Sequence, residues 1–182
     1  MNQEKKIMDA NLAIWHGELG KKSFSEYLDK AKNAYSKHLT TLIEDYTRMG
    51  DLSIRHGDLD RAEQCYLKSL KIEQQLNAKI GMANQYSNLG MVYQLRQEWD
   101  KAEAFYFKSL DIEKTLDHKV GMARDYGNLG SLNQARGNLE KAEIFYRKCL
   151  ELNQYLDCYT GIAAQYYNLG LVYEVYQDFK KA

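Results

Sequence analysis

The chain has 182 residues, no proline, and 25 Lys and Arg against 25 Asp and Glu. Zero formal net charge removes any bulk electrostatic pull toward nucleic acid or an anionic membrane, and the absence of the residue that helix interiors tolerate least leaves the whole length open to helix. No apolar run of about eighteen residues is present to span a bilayer, and the charged start Met1-Asn2-Gln3-Glu4 leads into no sustained apolar core, so a soluble, intracellular, cytoplasmic protein is expected.

Taken in order, the chain falls into one register. Tyr86-Ser87-Asn88-Leu89-Gly90 returns as Tyr126-Gly127-Asn128-Leu129-Gly130 and as Tyr166-Tyr167-Asn168-Leu169-Gly170, forty residues apart each time. Fixed self-similarity in this range is the signature of stacked supersecondary units, each burying its apolar face on the next. Residues 1–40 are the least regular. His16-Gly17-Glu18-Leu19 precedes His56-Gly57-Asp58-Leu59 by one period, which predicts a helix over Asn2–Trp15 and a second from about Ser23 to His38, with Phe24, Leu28, Ala31 and Tyr35 on one face. Lys6 takes the place of the later tyrosines. This is a degenerate or capping pair.

Residues 41–80 are the first recognisable copy, with Tyr46, Met49, Gly50, Ala62, Tyr66, Ser69 and Leu70 in register and Ser53 replacing the second tyrosine. Residues 81–120 are the cleanest. Tyr86, Leu89, Gly90 and Tyr93 share one face of a helix near 78–96, and Ala102, Tyr106, Ser109 and Ile112 share one face of a helix near 99–116. Residues 121–160 follow suit, with Asn133 and Cys149 as substitutes. Residues 161–182 hold a first helix and, at Phe179-Lys180-Lys181-Ala182, the opening of a second. Self-association through this C-terminal helix is expected, since Tyr166, Leu169, Gly170 and Tyr173 lack a cover.

Asn77, Asp117 and Asp157 each follow a leucine and precede a first helix, a pattern that predicts N-caps. Gly81, Gly121 and Gly161 lie inside those helices, where glycine costs about 1 kcal/mol relative to alanine. Close approach of the preceding second helix is the compensation expected, and likewise for Gly90, Gly130 and Gly170 against Ala102, Ala142 and Ala182.

The pattern Tyr-x2-Leu-Gly-x2-Tyr followed by Ala-x3-Tyr, carried by Tyr86, Leu89, Gly90, Tyr93, Ala102 and Tyr106, resembles the tetratricopeptide repeat, with tyrosine for the usual tryptophan and phenylalanine. The likeness is strong over residues 41–182 and weak over 1–40. Two departures are the period, forty rather than thirty-four, and the lack of a closing proline. A variant of this kind with longer helices is similar to Pins-type polarity adaptors, kinesin light chains and bacterial tetratricopeptide regulators. The resemblance implies an all-α solenoid of antiparallel helix pairs, one array over 1–182, wound into a right-handed superhelix whose wall of first helices binds a peptide or partner helix.

In such a stack the wall positions are Glu44, Arg48, Asp51 and Arg55; Asn84, Asn88, Met91 and Gln94; Arg124, Asn128, Ser131 and Gln134; and Tyr167, Asn168, Leu171 and Val175. The groove would change from charged through amide-rich to apolar. Asn88, Asn128 and Asn168 form a ladder that either pairs with a ligand backbone or bonds its neighbours to stabilise the stack. Against the chaperone-binding carboxylate clamp, Asn88 and Arg124 match, but Thr47, Asp51 and Asn128 do not, so a chaperone tail is disfavoured.

No enzymatic constellation is present. His16, His38, His56 and His118 are isolated, no metal-ligand spacing or phosphate loop occurs, and no cofactor or metal is expected. The three cysteines, Cys65, Cys149 and Cys158, are odd in number and scattered, which fits free thiols. The function expected is a non-enzymatic protein-interaction scaffold. Its alternative is a regulatory or sensor domain of a larger protein, controlling an attached effector.

Overall fold

The structure is a computed structural model that describes residues 18–181, with side chains over 24–176. Among the described residues there are seven helices and no strand: α1 (Glu18–Arg55), α2 (Leu59–Gln75), α3 (Lys79–Leu95), α4 (Trp99–Thr115), α5 (Lys119–Ala135), α6 (Leu139–Tyr155) and α7 (Tyr159–Lys181). The helices of the cleanest copy lie within a residue of the bounds their periodicity predicts. From α2 to α6 each helix has 17 residues, about 25 Å at the helical rise, and each connector has three. Two such helices and two such connectors fill the forty-residue period.

Every connector has a positive φ at its middle residue: Gly57 (75°), Asn77 (51°), Gln97 (62°), Asp117 (49°), Gly137 (83°) and Asp157 (52°). Asn77, Asp117 and Asp157 are therefore not N-caps but the left-handed residues that end the second helices. Asn and Asp enter that region at lower cost than other side chains, and a left-handed residue after the last turn is the usual way a helix without proline stops. The N-cap of α3 is Ala78 and that of α5 is His118, neither with a side-chain cap bond. Asp58 does cap α2, its Oδ1 accepting from the Arg61 N–H at 3.0 Å.

The turn expected near residues 37–40 is absent, and α1 runs unbroken through Thr41. Ser36 and Lys37 stand where later copies have a leucine and an Asx, so the stop signal is missing. The expected helix over Asn2–Trp15, Lys6, and the turn residues His16 and Gly17 lie outside the described residues. The chain divides into two units, 1–42 and 43–182. In the first, Phe24, Tyr27, Leu28 and Tyr35 are exposed and Leu39 is buried.

In the second unit the core is segmented, as a quasi-one-dimensional stack demands. Ala62, Tyr66 and Leu70 of α2 pack with Leu89 and Val92 of α3. Ala102, Tyr106 and Leu110 of α4 pack with Ala123, Tyr126, Leu129 and Leu132 of α5, and Cys149 joins them. Ala142 and Tyr146 of α6 pack with Leu169 and Val172 of α7. From α2 to α7 each helix contacts its sequence neighbour, and the first helices α3 and α5 also touch each other.

The glycine of the Leu-Gly step is a socket. A Cβ on Gly50, Gly90 or Gly130 would stand 2.5, 2.7 or 2.4 Å from the ring of Tyr66, Tyr106 or Tyr146. The partner of Gly90 and Gly130 is thus this tyrosine and not the expected Ala102 or Ala142, because the aromatic four residues later reaches across the helix pair while alanine stops short. At Gly170 nothing among the described residues lies within 4 Å, and Ala182 lies outside them. Leu169 is buried against α6, and the Tyr173 hydroxyl donates to Glu143 at 2.5 Å. Of the four residues expected to lack a cover, only Leu169 is buried, and Tyr166, Gly170 and Tyr173 are exposed.

Candidate functional site

Between successive first helices runs a seam of buried polar side chains, repeated in register. At the first seam Glu73, 3% exposed, lies over Gly81, where a Cβ would come within 2.0 Å of its carboxylate. Gln85 donates to Glu73 at 3.3 Å and to the Thr47 hydroxyl at 3.1 Å. The Thr47 and Ser69 hydroxyls are 3.4 Å apart. The second Glu73 oxygen has no hydrogen-bond partner. Burial pushes this carboxyl above its ordinary range, opposed by the bond from Gln85.

The second seam is ionic. Glu113 and Asp125 are fully buried. Arg124 spans them, with Nη2 3.2 Å from Glu113 and Nε 3.3 Å from Asp125, while its Nη1 donates to Asn84 at 2.5 Å. His118 Nδ1 lies 2.5 Å from the other Glu113 oxygen. Asn128 donates to the Ser87 hydroxyl at 3.0 Å. Burial raises the Asp125 carboxyl, and Ser109, Arg124 and Ser87 pull it back; its Oδ2 has no partner.

At the third seam the same positions carry Gly127, Cys149, Asn153 and Gln165. Asn153 fills the place of the glutamates over Gly161, where a Cβ would stand 2.4 Å from its Oδ1, and it donates to Cys149 Sγ at 3.3 Å. Asn168 reaches Gln165 at 3.5 Å. Gly127 contributes no side chain, and here the wall opens into a cleft of about 560 Å³ lined by Arg124, Gly127, Asn128, Asn153, Gln165 and Asn168 among others. Burial raises the Cys149 thiol to about 11, whereas the Thr160 hydroxyl and the Gly161 N–H draw the Cys158 thiol below its usual range.

The residues expected on the wall are therefore of three kinds. Arg48, Arg55, Tyr167 and Val175 are exposed, and Leu171 is half-buried. Asn84, Asn88, Arg124, Asn128 and Asn168 belong to the seams: Asn88 donates to Gln85 at 3.3 Å, as Asn128 and Asn168 do to Ser87 and Gln165. Each ladder Oδ1 accepts no hydrogen bond among the described residues. Gln94 and Gln134 stand apart, since their Oε1 atoms accept from the socket tyrosines Tyr106 at 2.8 Å and Tyr146 at 2.6 Å. In the first copy Asp51 does this for Tyr66 at 2.7 Å. Sequence reasoning missed Glu73, Glu113, Gln85, Asp125 and Gln165. Their signal was a polar residue eight positions before each helical glycine and four after it.

Two tetratricopeptide repeat family models match the chain, over residues 81–154 and 46–76. No curated protein matches it. Among solved structures it is similar to BtubC (BKLC) from P. vanneervenii, at TM-score 0.66 and 22% identity, covering 98% of this chain and 83% of that one. It is also similar to the N-terminal domain of stress-induced protein-1 (STI-1) from C. elegans, at TM-score 0.52 and 15% identity, covering 70% of this chain and 96% of that domain.

Proposed function

Since the chain belongs to the tetratricopeptide repeat family, whose members are protein-interaction scaffolds, we propose that its partner is a peptide or helix laid along the wall of first helices. The observation that carries this reading is the ladder. Asn88, Asn128 and Asn168 recur half-buried on successive first helices, each anchored through its amide N–H and each with Oδ1 available to a ligand backbone N–H. Acidic groups of the ligand would meet Arg48 and Arg55, and an apolar end Leu171 and Val175. Arg124 is less suited to the ligand, because it already neutralises Glu113 and Asp125.

The reading is non-enzymatic. Among the described residues no group of three His, Cys, Asp or Glu side chains could hold a metal, and no helix is long and apolar enough to cross a membrane. A groove ligand of this size would bind in the micromolar range, about 8 kcal/mol. The test is a displayed random-peptide library panned on the 182-residue chain, followed by titration of the selected peptide into Asn128→Ala. Binding should weaken about tenfold, while loss of the bond to Ser87 lowers stability by only about 1 kcal/mol. Unchanged affinity in a destabilised Asn128→Ala would refute the groove reading.

A further inference from the structure

The three seams are internal copies of one arrangement, and the third lacks a group that the other two contain. At the first seam the residue at this register is Thr47, whose hydroxyl accepts from Gln85 at 3.1 Å. At the second it is Ser87, whose hydroxyl accepts from Asn128 at 3.0 Å. At the third it is Gly127, and the equivalent donors Gln165 and Asn168 are left with a bond of 3.5 Å to each other. Both line the cleft that Gly127 opens. The gap has the shape of a missing side chain: a Cβ built on Gly127 would meet only Cys149 Sγ, at 3.5 Å, an ordinary contact.

We propose that this cleft is a specificity pocket for a hydroxyl-bearing residue, serine or threonine, of the segment bound in the groove. The inference rests on the groove reading above. The ligand hydroxyl takes the place that Ser87 and Thr47 occupy in the other seams, accepting from the Asn168 or Gln165 amide. Charge favours a neutral hydroxyl over a carboxylate or an ammonium group. The polar side chains lining the cleft are the carboxamides of Asn128, Asn153, Gln165 and Asn168 and the cation Arg124, which is held by Glu113 and Asp125, and the rest of the lining is glycine, apolar side chains and two cysteines. A ligand alanine leaves these amides as they are, so the hydroxyl supplies a hydrogen bond that only it can make, worth about three- to tenfold in affinity.

The test uses capped single residues on the isotope-labelled 182-residue chain. N-acetylserinamide should give saturable shifts of the Gly127 backbone N–H and of the Asn168 and Gln165 side-chain amides, binding about three- to tenfold tighter than N-acetylalaninamide. Glycerol separates a peptide hydroxyl from any small polyol, and equal binding of glycerol would overturn the peptide source. Gly127→Ser supplies the hydroxyl from within and should abolish the serine preference while keeping or raising the melting temperature. Asn168→Ala should abolish it as well.

Equal shifts with the alanine compound, no saturable shift with either, or a serine preference that survives both variants would overturn the pocket. Library peptides that bind the groove with no serine or threonine over Gly127 would also overturn it and leave the groove reading standing. Serine-dependent shifts in a chain that binds no library peptide would instead overturn the groove reading and, with it, the assignment of the pocket to a groove-bound segment.

Discussion

Replacing the socket glycines by alanine should change stability in opposite directions at positions forty residues apart. In a helix interior Gly→Ala gains about 1 kcal/mol in intrinsic propensity. At Gly130 the new Cβ would stand 2.4 Å from Cδ1 and 2.5 Å from Cε1 of Tyr146, where carbon atoms normally rest about 3.5–4.0 Å apart. The ring must retreat by about 1 Å, yet it is 1% exposed and tethered by its hydroxyl to Gln134 at 2.6 Å. Overpacking of this kind costs about 1–3 kcal/mol, and disturbing the hydrogen bond about 0.5–1.5 kcal/mol more. Against the propensity gain, Gly130→Ala should be about 1–3 kcal/mol less stable, a fall of about 3–10 °C in a chain of this size. Gly170→Ala meets no described atom within 4 Å and should keep its gain, melting about 2–4 °C higher. Thermal denaturation followed by circular dichroism reads both variants. If Gly130→Ala melted at or above the wild type, or Gly170→Ala fell with it, the socket argument would be wrong.

Three further outcomes follow from the connectors and the buried groups. Gln97 holds a φ of 62° where the neighbouring copies have Gly57 and Gly137, so Gln97→Gly should raise stability by about 0.5–1 kcal/mol in urea denaturation; a loss would mean that its side chain makes a compensating contact. Burial raises the Glu73 carboxyl above its unfolded value of 4.5. The folded chain therefore holds that proton more tightly, and stability is lost as pH climbs from the unfolded toward the folded value. Glu73→Gln removes this loss, so its urea midpoint relative to wild type should rise as the pH climbs above 4.5, and a pH-independent difference would count against the assignment. Of the three thiols, Cys65 and Cys149 are buried, so iodoacetamide near pH 8 should modify Cys158 first by mass spectrometry; equal labelling of Cys149 would contradict its burial.

The sequence carried the helix positions because the forty-residue repeat averages away local ambiguity, and Leu89, Leu129 and Leu169 are buried as their register demands. Where the period had one copy to show, legibility fell. At residues 36 and 37 the turn chemistry is absent, and α1 passes through. The role of Asn77, Asp117 and Asp157 was misread because an Asx between two helices is equally suited to ending one and capping the next, and only φ tells them apart. The exposure of Arg48, Arg55, Tyr167 and Val175 was reachable from helical geometry. The partners of Arg124 and Gln94 were not, because they depend on which side chains meet across the stack rather than on spacing within one helix.

The uniformity of the connectors has a consequence for how such a chain can grow. Turns within a repeat and turns between repeats have the same length and the same left-handed middle residue, so the backbone carries no mark of where a repeat begins. Any forty-residue window, cut at any position within residues 59–158, could be copied in tandem and joined without a foreign linker. A twenty-residue insertion would fit the backbone just as well and yet set a leucine, the residue at the register of Leu70 and Leu110, where Tyr106 now meets Gly90. The distinction between the two helices is held entirely in side chains, a grammar of sockets and plugs written on an alphabet of interchangeable rods.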